Sequence, residues 1–313
     1  MKMLLTSVSN VLATHWAKTF DGVLSQFRHI VIPSQSFLKI LLFTVMQKKL
    51  IYFMVILLLF SCSTVPITER KRVNLVEDSQ ILPASFVQYE TFLKEHELSK
   101  DPKLSNEVQT VGQRLSRSVD RFMRANGMTE EANNYRWEFN LVEDKQMNAW
   151  CLPGGKVVFY TGILPVCKNT DGIAAVMGHE IAHAFAKHGQ ERMTSAYGQQ
   201  LGGLAVAIGT SGQNYETQML WNSIYGISSQ VGMLAYSRTH ETEADKLGMV
   251  FMIMAGYNPE EAIQLWKRMK EDSKGNAPPE FLSTHPSHDT RIEDLKNYLP
   301  VARMNARKYG IDD

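Results

Sequence analysis

Apolar residues recur at helical spacing through Leu104, Val108, Val111, Leu115, Val119 and Phe122, which predicts a helix with one buried face. Asp101-Pro102 supplies its N-cap and first residue, and Gly127 its stop. From Tyr135 the period changes. Trp137, Phe139 and Leu141 alternate with Arg136, Glu138 and Asn140, the pattern of a half-buried strand. Pro153-Gly154-Gly155 reads as a turn and Lys156–Tyr160 as a second strand. A helix is expected over 171–188, closed by Gly189. Residues 190–230 are rich in Gly, Gln and Ser, with one apolar stretch at 201–208 that is too short to span a bilayer. Further helices are expected over about 231–255, from Asn258-Pro259-Glu260-Glu261 onward, and over about 289–299. No repeat period is present, so no helical-repeat domain is expected. The pattern is that of an α+β protein, mainly helical, with a small sheet.

The first 61 residues follow other rules. Lys48 and Lys49 precede an eleven-residue apolar run, 50–60. As a helix this run covers about 16 Å against a bilayer core of about 30 Å, so it fits the hydrophobic region of a signal peptide and not a span. Leu59-Phe60-Ser61-Cys62 then resembles a bacterial lipobox, with Cys62 as the lipidated first residue of the mature chain. Ser63 resembles the outer-membrane sorting residue. The expected organisation is an upstream extension over 1–45 with translation starting at Met46, a lipoprotein signal peptide over 46–61, a polar tether over 62–84 and a single folded domain over 85–313.

Composition narrows the function. With 313 residues, 44% hydrophobic and 21% charged, the chain builds a real core. A net charge of +1 without a basic block excludes nucleic acid as a partner. Six basic residues and one acid lie before Cys62, so the remainder carries a net −4. Three cysteines exclude a disulfide scaffold. Cys151 and Cys167 remain after lipidation, an even pair that an oxidising compartment would allow to bond.

His179-Glu180-Ile181-Ala182-His183 falls inside the expected helix over 171–188. There His179 and His183 project from one face, the spacing that lets two imidazoles ligate one Zn²⁺. Glu180 lies about 100° round the helix, placed to reach a water without ligating the metal. Downstream, Glu241 and Asp245 share a face of the next long helix, while Glu243 points away. Glu241 is the candidate third ligand. Asp245, one turn on, is placed to orient a ligand histidine.

The stretches HEIAHAFAKH, SRTHETEADKLG and THPSHDTRI resemble those of the membrane-linked zincin peptidases of the HtpX and Oma type. CSTVPITERKRVNLVED and MNAWCLPGGKVVFYTGIL resemble the mature N-termini and the NAxxxPGG segment of their periplasmic lipoprotein members, the nearest in pattern. The resemblance runs from about 62 to 298. It implies a zincin-like fold in which His179, His183 and Glu241 hold one Zn²⁺ and Glu180 is the general base. It further implies that Asn148, Ala149, Pro153, Gly154 and Gly155 belong to one edge strand over 148–160 that binds substrate backbone, the glycines leaving room for the substrate chain. His285 would occupy or guard the open metal position as a gate, and Arg291 would pin Glu241 or His285. His188 and His288 have no matching role and read as structural or solvent-facing.

The expected function is a lipid-anchored zinc endopeptidase of the bacterial envelope, facing the periplasm from the outer membrane, with unfolded or misfolded envelope proteins as substrates. The alternative is an envelope chaperone or assembly factor with a gated or structural zinc site.

Overall fold

A computed structural model of the chain describes residues 42–46, 48–49, 62–272, 281, 285 and 290–309. The apolar run over 50–60, most of the upstream segment, His288 and Asp289 lie outside the described residues. The chain divides into two units, Met1–Phe60 and Ser61–Asp313. In the first, 42–46 and 48–49 are helical. No helix among the described residues is long and apolar enough to cross a membrane.

The second unit begins with a two-stranded antiparallel ribbon, β1 (Cys62–Thr64) and β2 (Lys71–Val73). Helices α1 (Asp78–Glu95), α2 (Pro102–Ala125) and α3 (Thr129–Asn133) follow. Next come β3 (Glu138–Val142), β4 (Ala149–Leu152) and β5 (Lys156–Tyr160). The short α4 (Leu164–Cys167) leads into α5 (Thr170–Phe185), α6 (His188–Thr210), α7 (Tyr215–Met254), α8 (Glu260–Asp272) and α9 (Arg291–Tyr309). This is the mainly helical α+β architecture that the pattern predicts.

Local chemistry explains α2. Asp101 Oδ1 accepts from the amides of Lys103 and Leu104 at 2.9 and 3.1 Å, satisfying two orphan donors of the first turn. Gly127 ends the segment with φ +76°, a left-handed conformation that favours glycine. The predicted stripe from Val108 to Phe122 is buried.

In the three-stranded sheet the order is β3-β5-β4, with β3 parallel and β4 antiparallel to β5. β5 is central, so Val157, Val158, Phe159 and Tyr160 are all buried and the strand reads as a continuous apolar run. Residues 148–160 are therefore not one edge strand. They form a hairpin, and only its first arm, β4, lies at the edge. Gly154 and Gly155 have φ of +87° and +86°. A Cβ would lie 2.6 Å from the Phe86 ring at Gly154 and 2.6 Å from the Trp137 ring at Gly155. The turn thus needs these glycines for its own backbone and packing, and not to make room for a second chain.

Residues 62–84 are not a tether. Arg72 is buried, donating from NH1 to the Ala186 carbonyl at 2.9 Å and from Nε to Ser63 Oγ at 2.8 Å, and Val65 is fully buried. These contacts hold the ribbon on the domain, and α1 starts at Asp78 and carries Pro83 within it.

The expected helix over 171–188 ends earlier. Lys187 adopts φ +58°, with its Nζ 2.9 Å from Asp78 Oδ2, and this left-handed residue breaks the chain into α5 and α6. Gly189 lies in the first turn of α6 and not at a helix end. Residues 190–230, which show no clear period, are helical apart from the turn before Asn214, whose Oδ1 caps α7 from the Thr217 amide at 2.8 Å. α7 thus begins well before the expected 231, and α9 runs on through Pro300 because Ala302 and Ala306 continue its buried face.

Candidate metal centre and active site

All residues over 172–185 of α5 are buried, because α2, α7, α8 and β4 pack around it. Where α5 crosses α7, Gly178 faces Gly248. A Cβ on Gly248 would lie 3.0 Å from Gly178 C and from the His179 amide nitrogen. Two glycines therefore let the backbones touch, and this brings Glu241 and Asp245 of α7 against His179 and His183 of α5.

His179 Nε2 lies 3.1 Å from His183 Nε2. Glu241 Oε2 lies 3.3 Å from His179 Nε2, and Glu241 Oε1 lies 3.3 Å from His183 Nε2. His285 adds a fourth donor, its Nδ1 being 3.2 Å from His179 Nε2 and 3.1 Å from Glu241 Oε2. Four donors at zinc-bond lengths of about 2.0–2.1 Å define tetrahedral edges of about 3.3 Å. The observed separations match those edges. The tautomer agrees. His179 Nδ1 donates to Asp245 Oδ1 at 2.9 Å, so in the neutral ring Nε2 carries a lone pair turned toward another imidazole nitrogen. A cation resolves that arrangement, so these residues fit a bound metal.

The acids are shaped by their surroundings. Burial alone would raise the Glu241 carboxyl, but His183, His179 and His285 outweigh it and hold the group ionised. Burial would also raise Asp245, and Arg291 outweighs it, donating from Nε to Oδ2 and from NH2 to Oδ1, both at 2.7 Å. Arg291 thus pins Asp245 first. Its NH1 is 3.5 Å from Glu241, and its guanidinium lies 3.3 Å from the Trp266 ring centre. Glu180 is pushed up by burial. Its Oε1 is buried without a hydrogen-bond partner, 3.3 Å from His285 Nε2. An unsatisfied carboxylate oxygen beside the donor cluster is where a general base would meet a water.

In the metal-free protein, burial works against charge on His179, but Asp245 and Glu241 outweigh it and push the imidazole up to about 9. Burial holds His183 down to about 3. A proton on His179 therefore takes the place that the metal would take. Below pH 9 metal binding must release that proton, so apparent affinity should rise about tenfold per pH unit up to pH 9 and flatten above it. Chelator competition from pH 6.5 to 10 measures this, and a flat profile below pH 9 would contradict it.

Asn148 and Ala149 are buried at the start of β4, with the Ala149 amide on Asn148 Oδ1 at 2.9 Å. β4 packs against α5 and has one strand neighbour, β5, among the described residues. Pro153 accepts from Ser85 Oγ through its carbonyl at 2.6 Å. Cys151 and Cys167 are free thiols, not a disulfide. Cys151 lies on β4, while Cys167 is buried at the end of α4, where its carbonyl meets Arg268, and burial pushes its thiol up to about 12.

Sequence reasoning missed one group. His188, read as structural or solvent-facing, is fully buried, with Nδ1 2.8 Å from His183 Nδ1 and Nε2 2.9 Å from Glu243 Oε2. Glu243 points away from the donor cluster, as its phase predicts, but into a buried network with Arg70 and Thr68. The one available signal was that His188 and Arg70 fall inside the quoted stretches HEIAHAFAKH and CSTVPITERKRVNLVED.

Residues 109–299 match Peptidase family M48, more than half of the chain. The chain belongs to this family. Among curated relatives it is 38% identical over 194 residues to the mitochondrial metalloendopeptidase OMA1 of Schizosaccharomyces pombe, covering 61% of this chain and 53% of that protein. It is 38% identical over 174 residues to its namesake in Saccharomyces cerevisiae, covering 53% and 48%. Against the beta-barrel assembly-enhancing protease of Yersinia pestis it is 28% identical over 206 residues, covering 63% and 39%. The chain spans about half or less of the length of these relatives. Family M48 membership agrees with the zincin-type reading of the chain.

Proposed function

We propose that this chain is a zinc-dependent endopeptidase that cleaves extended segments of unfolded or misfolded proteins of the bacterial envelope. The observation that carries the reading is the donor cluster of His179, His183 and Glu241 at tetrahedral spacing, with the unpartnered Glu180 oxygen beside it. Two imidazoles and one carboxylate favour zinc among divalent metals. Bound by these residues, a metal would supply Lewis acidity to the reaction. Glu180, with its unpartnered oxygen, would take a proton from the attacking water and pass it to the leaving amine. β4 offers an open edge on which an extended substrate adds as a further strand. The test is cleavage of casein by the full chain against Glu180→Gln.

His285 closes the site in this reading. The four donors and Glu180 are each less than a tenth exposed. Phe281 stacks on the His285 ring at 4.6 Å, and the Phe281 amide donates to the Met147 carbonyl at 3.0 Å, just ahead of β4. His285→Ala is expected to raise basal casein cleavage several-fold. Equal or lower cleavage would remove the gate.

Attachment through lipid on Cys62 rests on the lipobox alone. The curated relatives include mitochondrial as well as bacterial proteins. Cys62→Ala should move the protein from the membrane to the soluble fraction of bacterial cells. Unchanged fractionation would sink the lipoprotein reading.

A further inference from the structure

The two metal-binding histidines are supported differently. His179 donates directly to Asp245, which Arg291 clamps. His183 has no carboxylate on its Nδ1. That nitrogen meets His188 Nδ1 at 2.8 Å, and His188 Nε2 meets Glu243 Oε2 at 2.9 Å. Glu243 in turn accepts from Arg70 Nε at 2.6 Å and from the Thr68 hydroxyl. The donors align in one direction only. With His183 Nε2 turned to the metal, its Nδ1 carries the proton and donates to His188 Nδ1. His188 then carries its proton on Nε2 and donates to Glu243, which Arg70 and Thr68 hold from the far side.

We propose that Arg70, Glu243 and His188 are positioning residues that hold His183 as a metal ligand, so that the ribbon just after Cys62 is a working part of the metal site. Thr68 and Arg70 lie in the turn between β1 and β2, more than 170 residues from Glu243 in sequence. The ribbon thus carries the expected lipid position at one end and, in its turn, holds Glu243, which reaches the ligand His183 through His188. A partner that fixes both the tautomer and the ring orientation of a ligand histidine raises metal affinity, and its loss commonly costs 10–100-fold.

A competing reading makes His188, Glu191 and His240 a second metal site, since their donor atoms lie within 4.8 Å of one another. Arg70 argues against it. Its NH1 and NH2 sit 2.8 and 2.5 Å from the two Glu191 oxygens, so the cation of that cluster is the guanidinium. His240 stacks on His188 at 4.2 Å and 16°, and fixes the plane of the ring.

The inference rests on the metal site proposed above, and the test separates the two. Zinc affinity of the full chain is measured by competition with a chromophoric chelator, together with melting temperatures with and without zinc. The variants are His188→Phe, which keeps the stacking and deletes both nitrogens, Glu243→Met, which keeps the side-chain length and deletes the acceptor, Arg70→Ala and Arg70→Lys. The expected result is zinc affinity at least tenfold weaker in the first three and partly restored in Arg70→Lys. Their melting temperatures should fall further with zinc than without it, because the lost support acts on the metal-bound state. A purely structural network would lower both melts equally and leave zinc affinity unchanged, and that result overturns the proposal. If His188→Phe does not fold, Glu243→Met decides, since it leaves both histidines in place and removes only the acceptor. A wild-type chain that binds no zinc overturns the metal site and this inference together.

Discussion

Glu180→Gln should lower kcat for casein cleavage by about 10²–10⁴-fold while one zinc per chain stays bound. The amide keeps the size of the side chain and lacks the proton affinity of the carboxylate. Zinc retention follows because Glu180 is not among the four clustered donors. Stability should move the other way. Burial raises the Glu180 pKa above its unfolded value, so the stability this group contributes is full below the unfolded pKa and is lost as pH rises through the folded one. At neutral pH the carboxylate is a cost, and the neutral amide removes it. The variant should therefore melt at or above the wild-type temperature. Cleavage that survives the substitution would refute Glu180 as the base, and loss of zinc would show it to be a ligand instead.

Arg291→Met should be among the most damaging single changes outside the donor cluster. Arg291 is 1% exposed and makes two 2.7 Å bonds to Asp245, itself buried. Removing one partner of such a pair leaves an uncompensated buried charge and costs about 3–5 kcal/mol. At about 2–4 °C per kcal/mol for a unit of this size, the melting temperature should fall by roughly 6–20 °C. Zinc affinity should drop about 10–100-fold, because Asp245 no longer holds the His179 ring in place. Adding Asp245→Asn should recover most of the stability, since the amide brings no charge and its oxygen still accepts from His179 Nδ1. A double variant as unstable as Arg291→Met would show that the loss lies in packing against Trp266 and not in the stranded carboxylate.

These two predictions sit on parts of the site with different legibility. Glu180 is visible within five consecutive residues, because HExxH on a helix has one geometry. Arg291 stands alone in the sequence as a charge near a helix start, and its expected partners were Glu241 or His285. Asp245 takes it because two carboxylate oxygens match the guanidinium fork, while Glu241 turns its oxygens to three histidines. His188 and Lys187 show the same limit at the helix end. A left-handed Lys187 leaves no composition signal, so periodicity alone runs α5 on through His188 and puts that residue at a helix end and not in the interior.

Periodicity and short spacing determined α2, β3, β5, the helix that carries His179 and His183, and the shared face of Glu241 and Asp245, since all depend on neighbours within one or two turns. Only the tertiary structure decided the rest. The Gly178–Gly248 contact sets α7 on α5, Arg70 reaches Glu243 and Glu191 from the far end of the chain, β5 and not β4 takes the centre of the sheet, and Cys151 and Cys167 stay apart. Such contacts join residues separated by tens to well over a hundred positions. No local pattern records them, because what selects them is the close packing and charge pairing of surfaces that meet only once the chain is folded.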